Sequence, residues 1–329
     1  MLIDTKINNL LNLISYQVGR NINLTQGAGG NISYKSGDSL WIKASVFWLS
    51  EALTKQIFIP LDIHSLKAIK TDKNSENLKP SIETSLHVIM PHDFVIHAHS
   101  INSMFFSIHK QGESLLRGIL KGYNWKWIKY TKPGKNLASE IEKNISSNQN
   151  VDILILENHG IVIGSNSIKE CYSKLLEVEK LLELASLPQV INTNPYPINK
   201  SFSFNGYSFI ENIDAKIVSR NNSFFDYFRS GFVIPDQIVY LDKNIKFLLN
   251  SNNLDKFVKN KQKYDILVVK DLGVLISSFC PKNTEEIFYA LCAVLIKFHS
   301  KDDISFLSEF DVESIRSWDS EKYRKKLIK

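Results

Sequence analysis

The sequence predicts an α/β fold in two parts, and three observations predict it. Segments of helical periodicity alternate with short apolar runs of strand length. A stretch from Leu187 to Pro197, bearing three prolines and two asparagines, interrupts that alternation. One strand-turn-helix pattern near residue 152 recurs near residue 265. At 329 residues, 43% hydrophobic and 22% charged, the chain is long enough to divide, with expected domains at 1–195 and 196–329.

The first element is an amphipathic helix over 3–19, because Ile3, Ile7, Leu10, Leu11, Ile14 and Val18 recur at spacings of three and four. It stops near Gly19. Leu24 to Asn31 then packs three glycines into four positions and feeds a hairpin, Ile32–Lys35 with Ser39–Leu40–Trp41–Ile42–Lys43, turning at Ser36–Gly37–Asp38. No helix follows the glycines directly, which excludes a P-loop or a dinucleotide fingerprint. Pro80–Ser81 opens a helix through Met90 that carries Glu83 and His87 one turn apart. Phe94–His99 and Val151–Leu156 read as strands, and Ser167–Leu187 as a long helix whose Ser167 and Glu170 have capping-box spacing.

Beyond the linker, Asp152–Ile161 lays on Asp265–Val274 without a gap, and each is followed by a helix. After a slip of three residues, Ser167 and Glu170 correspond to Asn283 and Glu286. The pattern reads as a degenerate internal repeat, the alternative being convergence of two ordinary strand-turn-helix units. In the second copy Tyr264 replaces Val151 and Leu272 replaces His159, so this copy is expected to bind no metal. Its strand Ile266–Val269 should lie in a sheet, with the helix from Glu285 to Phe298 packed on it. Ile266, Val268, Val274, Leu275, Ile276, Leu291, Val294 and Leu295 are too many apolar residues for a tail and must be buried.

Composition narrows the function. The net charge is +6, but the basic residues are dispersed, which excludes a nucleic-acid footprint. The one dense run, Lys322 to Lys326, reads as a solvated helix end. Cys171, Cys280 and Cys292 form no CxxC pair, as expected of core thiols in a reducing compartment. No apolar run approaches a membrane span, and the N-terminus has no signal-peptide pattern; the expected location is the cytoplasm, with no membrane partner.

The chemistry sits in Val95–Ile96–His97–Ala98–His99–Ser100. Alternation along a strand puts His97 and His99 on one face with Cα atoms roughly 6.5–7 Å apart. They are either two hydrogen-bonded core residues or two ligands of one ion, and the HxH spacing alone leaves both open. A catalytic zinc site takes three protein ligands and keeps a position open. His159 is the best third candidate, since it follows an apolar strand and Gly160 permits a sharp turn there. His64, His92, His109 and His299 have no partner at such spacing and read as surface or capping residues. The Glu83–His87 pair is the kind of contact that often gives only local helix support.

Gly29–Ser33 (GGNIS), Ile42–Ser45 (IKAS), Pro80–His87 (PSIETSLH), Ile96–Ser100 (IHAHS) and Glu157–Gly160 (ENHG), in this order, resemble the class II aldolase/adducin family. The likeness is greatest to the aldolase portion of rhamnulose-1-phosphate aldolase/lactaldehyde dehydrogenase fusions, and it covers residues ~1–190. Pro235–Tyr240 and Ser317–Arg324 resemble the connector preceding the dehydrogenase in those fusions, and no segment resembles the dehydrogenase itself. The resemblance implies a three-layer αβα domain with a central mixed sheet, followed here by a smaller C-terminal α/β domain. It implies a divalent metal, usually zinc, held by His97, His99 and His159. Glu83 would move the proton as the C3–C4 bond of a ketose breaks through an enediolate, and Gly30, Asn31, Ser45 and Ser81 would bind the phosphate end of the substrate.

Two positions depart from the pattern. Val46 and Phe47 stand where relatives continue with glycine, removing a backbone approach to a phosphate; Ile82 replaces a second serine, as the fusion relatives also do. The expected function is therefore zinc-dependent cleavage or formation of a C–C bond in a small ketose or ketose 1-phosphate. The alternatives are an epimerase or dehydratase of the same fold, or a non-catalytic adducin-like module. The family also implies a homo-oligomer, a tetramer foremost, and a tyrosine acid that the sequence does not identify.

Overall fold

The structure, a computed structural model, describes residues 3–69, 78–146, 150–187, 206–259 and 264–318. The expected linker at 187–197 lies, apart from Leu187, outside the described residues, as does the basic run at 322–326.

The first helix, α1 (Thr5–Gly19), is capped by Asp4, whose side chain accepts from the Lys6 and Ile7 N–H groups. Its apolar stripe, with Leu11, Ile14 and Val18 buried, faces the core. The expected hairpin forms as β1 (Asn31–Ser36) and β2 (Ser39–Lys43), and β3 (Phe58–Asp62) pairs with β2. Next come α2 (Thr84–Ile89), β4 (Phe94–Ala98), α3 (Ile101–Ser107), α4 (Gly112–Ile119), β5 (Trp125–Ile128) and α5 (Lys135–Ile145). The segment closes with β6 (Ile153–Leu156), β7 (Gly160–Ser165) and α6 (Ile168–Ala185). The seven strands form one mixed sheet in the order β3-β2-β1-β4-β7-β6-β5.

That sheet is the middle of three layers. Ile96, Ile153, Ile155, Ile161 and Ile163 point into a core shared with α1, α3 and α6, while Val95, Leu154, Leu156 and Val162 point to the opposite face, against α2 and α5. The central strands are thus apolar on both faces and covered on both, as a buried sheet requires.

The helix expected from Pro80 begins only at Thr84, with Glu83 as its N-cap residue. The reason is that Pro80 bridges Ala44, the Ser45 N–H donates to Lys79 O and the Ser81 N–H donates to Lys43 O. These backbone groups are satisfied by the end of the hairpin, so the chain stays extended through Ser81. At α6, the Ser167 hydroxyl accepts from the Glu170 N–H, but the Glu170 carboxylate bonds the Ser165 hydroxyl, so only half of the expected capping box forms.

The remainder comprises β8 (Tyr207–Phe209), α7 (Ile213–Arg220), α8 (Asn222–Arg229), α9 (Pro235–Tyr240), β9 (Ile245–Leu248) and α10 (Leu254–Lys259). These are followed by β10 (Ile266–Val269), β11 (Gly273–Ser277), α11 (Lys282–Leu295) and α12 (Glu309–Arg316). The second sheet has the order β8-β11-β10-β9. Its pairings are antiparallel, antiparallel and parallel, the same sequence of senses as β4-β7-β6-β5. The turns also match: Asn158 and Asp271 both have positive φ, and their N–H groups donate to Ser107 O and Ser219 O, each at 2.9 Å.

The apolar residues expected to be buried beyond the linker are buried, with Ile276 partly so. The α11 helix packs mainly on α3 and α7 rather than directly on its own strands. Its N-cap is Pro281, with no side-chain cap, so Asn283 and Glu286 do not play the capping part of Ser167 and Glu170. Instead the Asn283 carbonyl accepts from the Ala28 N–H at 3.1 Å and the Glu286 carboxylate accepts from the Gly27 N–H at 2.8 Å. The C-terminal half therefore grips the glycine loop.

Cys171 and Cys292 are buried and Cys280 is partly so, all as free thiols. Among the described residues no helix is long and apolar enough to cross a membrane.

Candidate metal centre

Four buried side chains converge at one end of β4 and β7: Glu83, His97, His99 and His159, with ligand-type atoms all within 4.8 Å of one another. The sheet register brings them together. His97 sits opposite Val162, and Ala98 opposite Ile161, so β4 ends beside the turn from which β7 begins. His99 lies one residue past the strand on the same side as His97, and His159 lies in that turn. The three imidazole centroids are 4.9 Å apart in every pairing.

Close backbone approach makes this possible. The sharp turn belongs to Asn158, at φ 54°, and its amide is fixed by donation to Val233 O and Ser305 O at 2.8 Å each. Gly160 serves a different purpose from the turn expected of it: a Cβ there would stand 2.4 Å from Ala98 O. Gly30, at φ 65°, lies against the other side of the same strand end, where a Cβ would stand 2.8 Å from His97 O.

The tautomers follow from the partners. The His97 Nδ1 lies 3.0 Å from Ile161 O and the His99 Nδ1 lies 2.7 Å from Asp236 Oδ2. Both partners are pure acceptors, so each Nδ1 carries a proton, and in the neutral form of that tautomer the Nε2 lone pair turns inward. Those two Nε2 atoms are 3.0 Å apart. Glu83 Oε1, also buried, has no hydrogen bond, although His159 Nε2 lies 3.3 Å away. Facing lone pairs and an orphaned carboxylate oxygen are costly in a dry site unless a cation lies between them. Imidazole nitrogens and one carboxylate are a donor set that suits zinc or a similar divalent ion, so the residues fit the group.

Burial and close neighbours shift three of these groups, Glu83, His97 and His159. Burial pushes the Glu83 carboxyl up, but His97, His159 and His99 outweigh it and hold it well below the usual carboxylate range. Burial works against charge on His97 as well, and the neighbouring Glu83 carboxylate overcomes it, raising that imidazole. His159 is pushed down to about 3 by burial.

Glu83 is held from the far side. The Asn31 amide donates to Glu83 Oε2 at 2.9 Å and to the Ser81 hydroxyl at 3.1 Å, and the Asn31 carbonyl bonds the His87 Nε2. The His87 Nδ1 in turn lies 2.7 Å from the Ser33 hydroxyl. His87 is therefore not a helix-surface partner of Glu83 but part of a buried chain, Ser33–His87–Asn31–Glu83, that fixes the carboxylate.

Gly30, Asn31 and Ser81 line a cleft that opens onto Glu83, His99 and His159. Ser45 does not line it; its hydroxyl donates to Pro80 O at 2.7 Å and secures the extended segment. Sequence reasoning left several lining residues without a role. Lys43 is buried, with its ammonium donating to Ala28 O and Phe47 O, and it lies in the quoted IKAS motif. Asp236 and Trp318 come from the C-terminal half, as do Pro235, Val239 and Ile315, and no spacing signal ties them to the histidines.

The chain has known relatives. Residues 15–186 match the family described as Class II Aldolase and Adducin N-terminal domain. The L-fuculose phosphate aldolase of Methanocaldococcus jannaschii is 28% identical over 169 residues, 49% of this chain and 86% of that protein. The Bacillus subtilis protein described as uncharacterized oxidoreductase YuxG is 28% identical over 105 residues, 32% of this chain, and the match spans only 15% of that relative's length. Among solved structures, the N-terminal class II aldolase domain of a conserved Thermoplasma acidophilum protein aligns with a TM-score of 0.46 and 22% identity, over 56% of this chain and 95% of that one. With the family match spanning more than half of its residues, the chain belongs to the class II aldolase and adducin family.

Proposed function

We propose that the protein is a zinc-dependent aldolase that cleaves or forms a C–C bond in a small ketose or ketose 1-phosphate. The observation that carries this reading is the convergence of three imidazoles on a buried carboxylate with an unbonded oxygen. His97, His99 and His159 would hold the ion, which when bound supplies Lewis-acid polarisation of the substrate's carbonyl and hydroxyl oxygens. Glu83 moves the proton. In the synthetic direction it takes one from the hydroxymethyl carbon of the ketone fragment, and in cleavage it returns one to that carbon. Asn31 keeps the carboxylate aimed by its 2.9 Å amide bond. Gly30, Asn31 and Ser81 form the wall for the substrate's far end, while Ser45 acts only by shaping that wall.

Residues 1–195 are assigned as the metal-binding unit and 196–329 as a second α/β unit that closes the cleft. The protein is assigned to the cytoplasm, and a homo-oligomer, a tetramer foremost, is the expected assembly.

The decisive experiment is elemental analysis of the purified chain. Roughly one divalent ion per chain is expected, with zinc predominant, and His97→Ala and His159→Ala should each lose it. Unchanged metal content in both variants sinks the site.

A further inference from the structure

The outermost partner of the centre comes from the far half of the chain. His97 takes the acceptor for its Nδ1 from within the sheet, at Ile161 O. His99 stands past the last paired residue of β4 and takes its own from Asp236, 137 residues away, at 2.7 Å. Both members of that pair are buried, His99 at 6% exposure and Asp236 at 8%. Asp236 follows Pro235 in the first turn of α9, which packs against α11 and α12. Its carboxylate is thus carried on a braced element rather than on a loose side chain.

Among the described residues, the unit that supplies it carries other side chains at the corresponding places. Backbone pairing puts Phe209 opposite Leu275, as His97 is opposite Val162. The shared register therefore sets Phe209, Glu211 and Leu272 at the places of His97, His99 and His159. A phenylalanine, a glutamate and a leucine do not make an ion site. The C-terminal half repeats the strand order of its neighbour without the ligands.

We infer that Asp236 is a positioning residue of the metal centre, through which the ligand-free C-terminal half fixes the tautomer and orientation of His99. This rests on the reading of His97, His99 and His159 as metal ligands. A carboxylate cannot donate, so it compels the Nδ1–H tautomer and turns the His99 Nε2 lone pair toward the ion position. Its negative charge also makes the imidazole a better donor to a cation. A purely structural link between the two halves would affect folding but leave zinc affinity alone.

The test uses the full chain and zinc alone, in competition with a chromogenic chelator, for the parent, Asp236→Asn and Asp236→Ala. Circular dichroism and the unfolding midpoint of the metal-free forms report on folding. Asp236→Ala should bind zinc about 10–100-fold more weakly. Asp236→Asn keeps an acceptor but loses the charge, and should weaken binding at least roughly threefold. Zinc affinity in Asp236→Ala within about twofold of the parent overturns the inference. If Asp236→Ala does not fold, Asp236→Asn decides it alone, and parental affinity there overturns it equally. A parent chain that binds no zinc refutes the metal centre itself, whereas a parent that binds tightly and variants that match it refute only the role of Asp236.

Discussion

Replacing Glu83 by Gln should separate proton transfer from the architecture that surrounds it. In the structure Glu83 Oε2 accepts from the Asn31 amide at 2.9 Å, while Oε1 faces His159 Nε2 at 3.3 Å without a hydrogen bond. In the metal-free chain a glutamine of the same shape keeps its carbonyl toward Asn31 and turns its NH2 toward His159, where a neutral ring nitrogen accepts. The exchange turns one charge-assisted acceptor into a neutral one, a loss of about 1 kcal/mol in stability. Turnover should fall by about 10²–10⁴, the usual contribution of a positioned acid or base, which is about 2.7–5.4 kcal/mol in the barrier.

The assay reads the proton directly. Exchange of the hydroxymethyl hydrogen of dihydroxyacetone phosphate, and separately of dihydroxyacetone, is followed by NMR in heavy water, with zinc content measured on the same samples. The parent should exchange one or both ketones. Glu83→Gln should retain zinc and lose at least about 99% of the exchange rate. Parental exchange with zinc retained refutes the assignment of Glu83 as the proton carrier. The preferred ketone also shows whether the wall around Asn31 and Ser81 takes a phosphate.

Gly160→Ala should strain the meeting of β4 and β7, because the added methyl falls 2.4 Å from Ala98 O, a backbone atom that cannot swing aside; a loss of about 1–3 kcal/mol with weakened zinc binding is expected, measured by urea unfolding and chelator competition. His87 is pushed down to about 3 by burial, whereas an unfolded histidine titrates near 6.5. Its folded pKa is the depressed one, so the unfolded chain binds the extra proton and stability falls as pH drops from about 6.5 toward 3, by about 1.4 kcal/mol per unit. His87→Gln should make the acid limb of metal-free unfolding shallower by about that slope, and an unaltered limb contradicts the buried-neutral assignment. A chain ending near residue 195 keeps His97, His99 and His159 but loses the α11 cover of α3 and the Asn283 and Glu286 grip on the glycine loop. It should lose solubility or assembly, and a truncation that is soluble, oligomeric and fully active shows the C-terminal half to be an independent module. Sedimentation of the full chain should show an oligomer, with monomer alone at micromolar concentration contradicting it.

Much of the fold is legible because it is local. The α1 stripe, the β1–β2 hairpin, the apolar runs of β4 and β6 and the Ser167 cap all express backbone hydrogen bonding and side-chain periodicity within a few residues of sequence. The recurrence of Asp152–Ile161 at Asp265–Val274 is legible for the same reason, since a turn residue with positive φ and its flanking strands are one local unit. His97 and His99 declare themselves as a pair because alternation along a strand is fixed by the pleat.

What the sequence determined, then, is the order of elements, the shared face of His97 and His99 and the family motifs. Tertiary structure alone decided the rest. Helical pattern extended α2 back to Pro80, but pairing with the hairpin end keeps that segment extended and leaves Glu83 at the N-cap, aimed at the histidines. His159 joins them only because β7 pairs antiparallel with β4 in one register. Asn31 and Ser45 look alike as short polar residues in neighbouring motifs, yet one holds Glu83 and the other holds Pro80 O. Asp236 reaches His99 across 137 residues, a distance at which no periodicity survives. Local hydrogen bonding and the pleat act over a few residues and are written in the order of side chains, whereas the direction of a buried carboxylate is set by whichever acceptors and donors the packed sheets bring beside it.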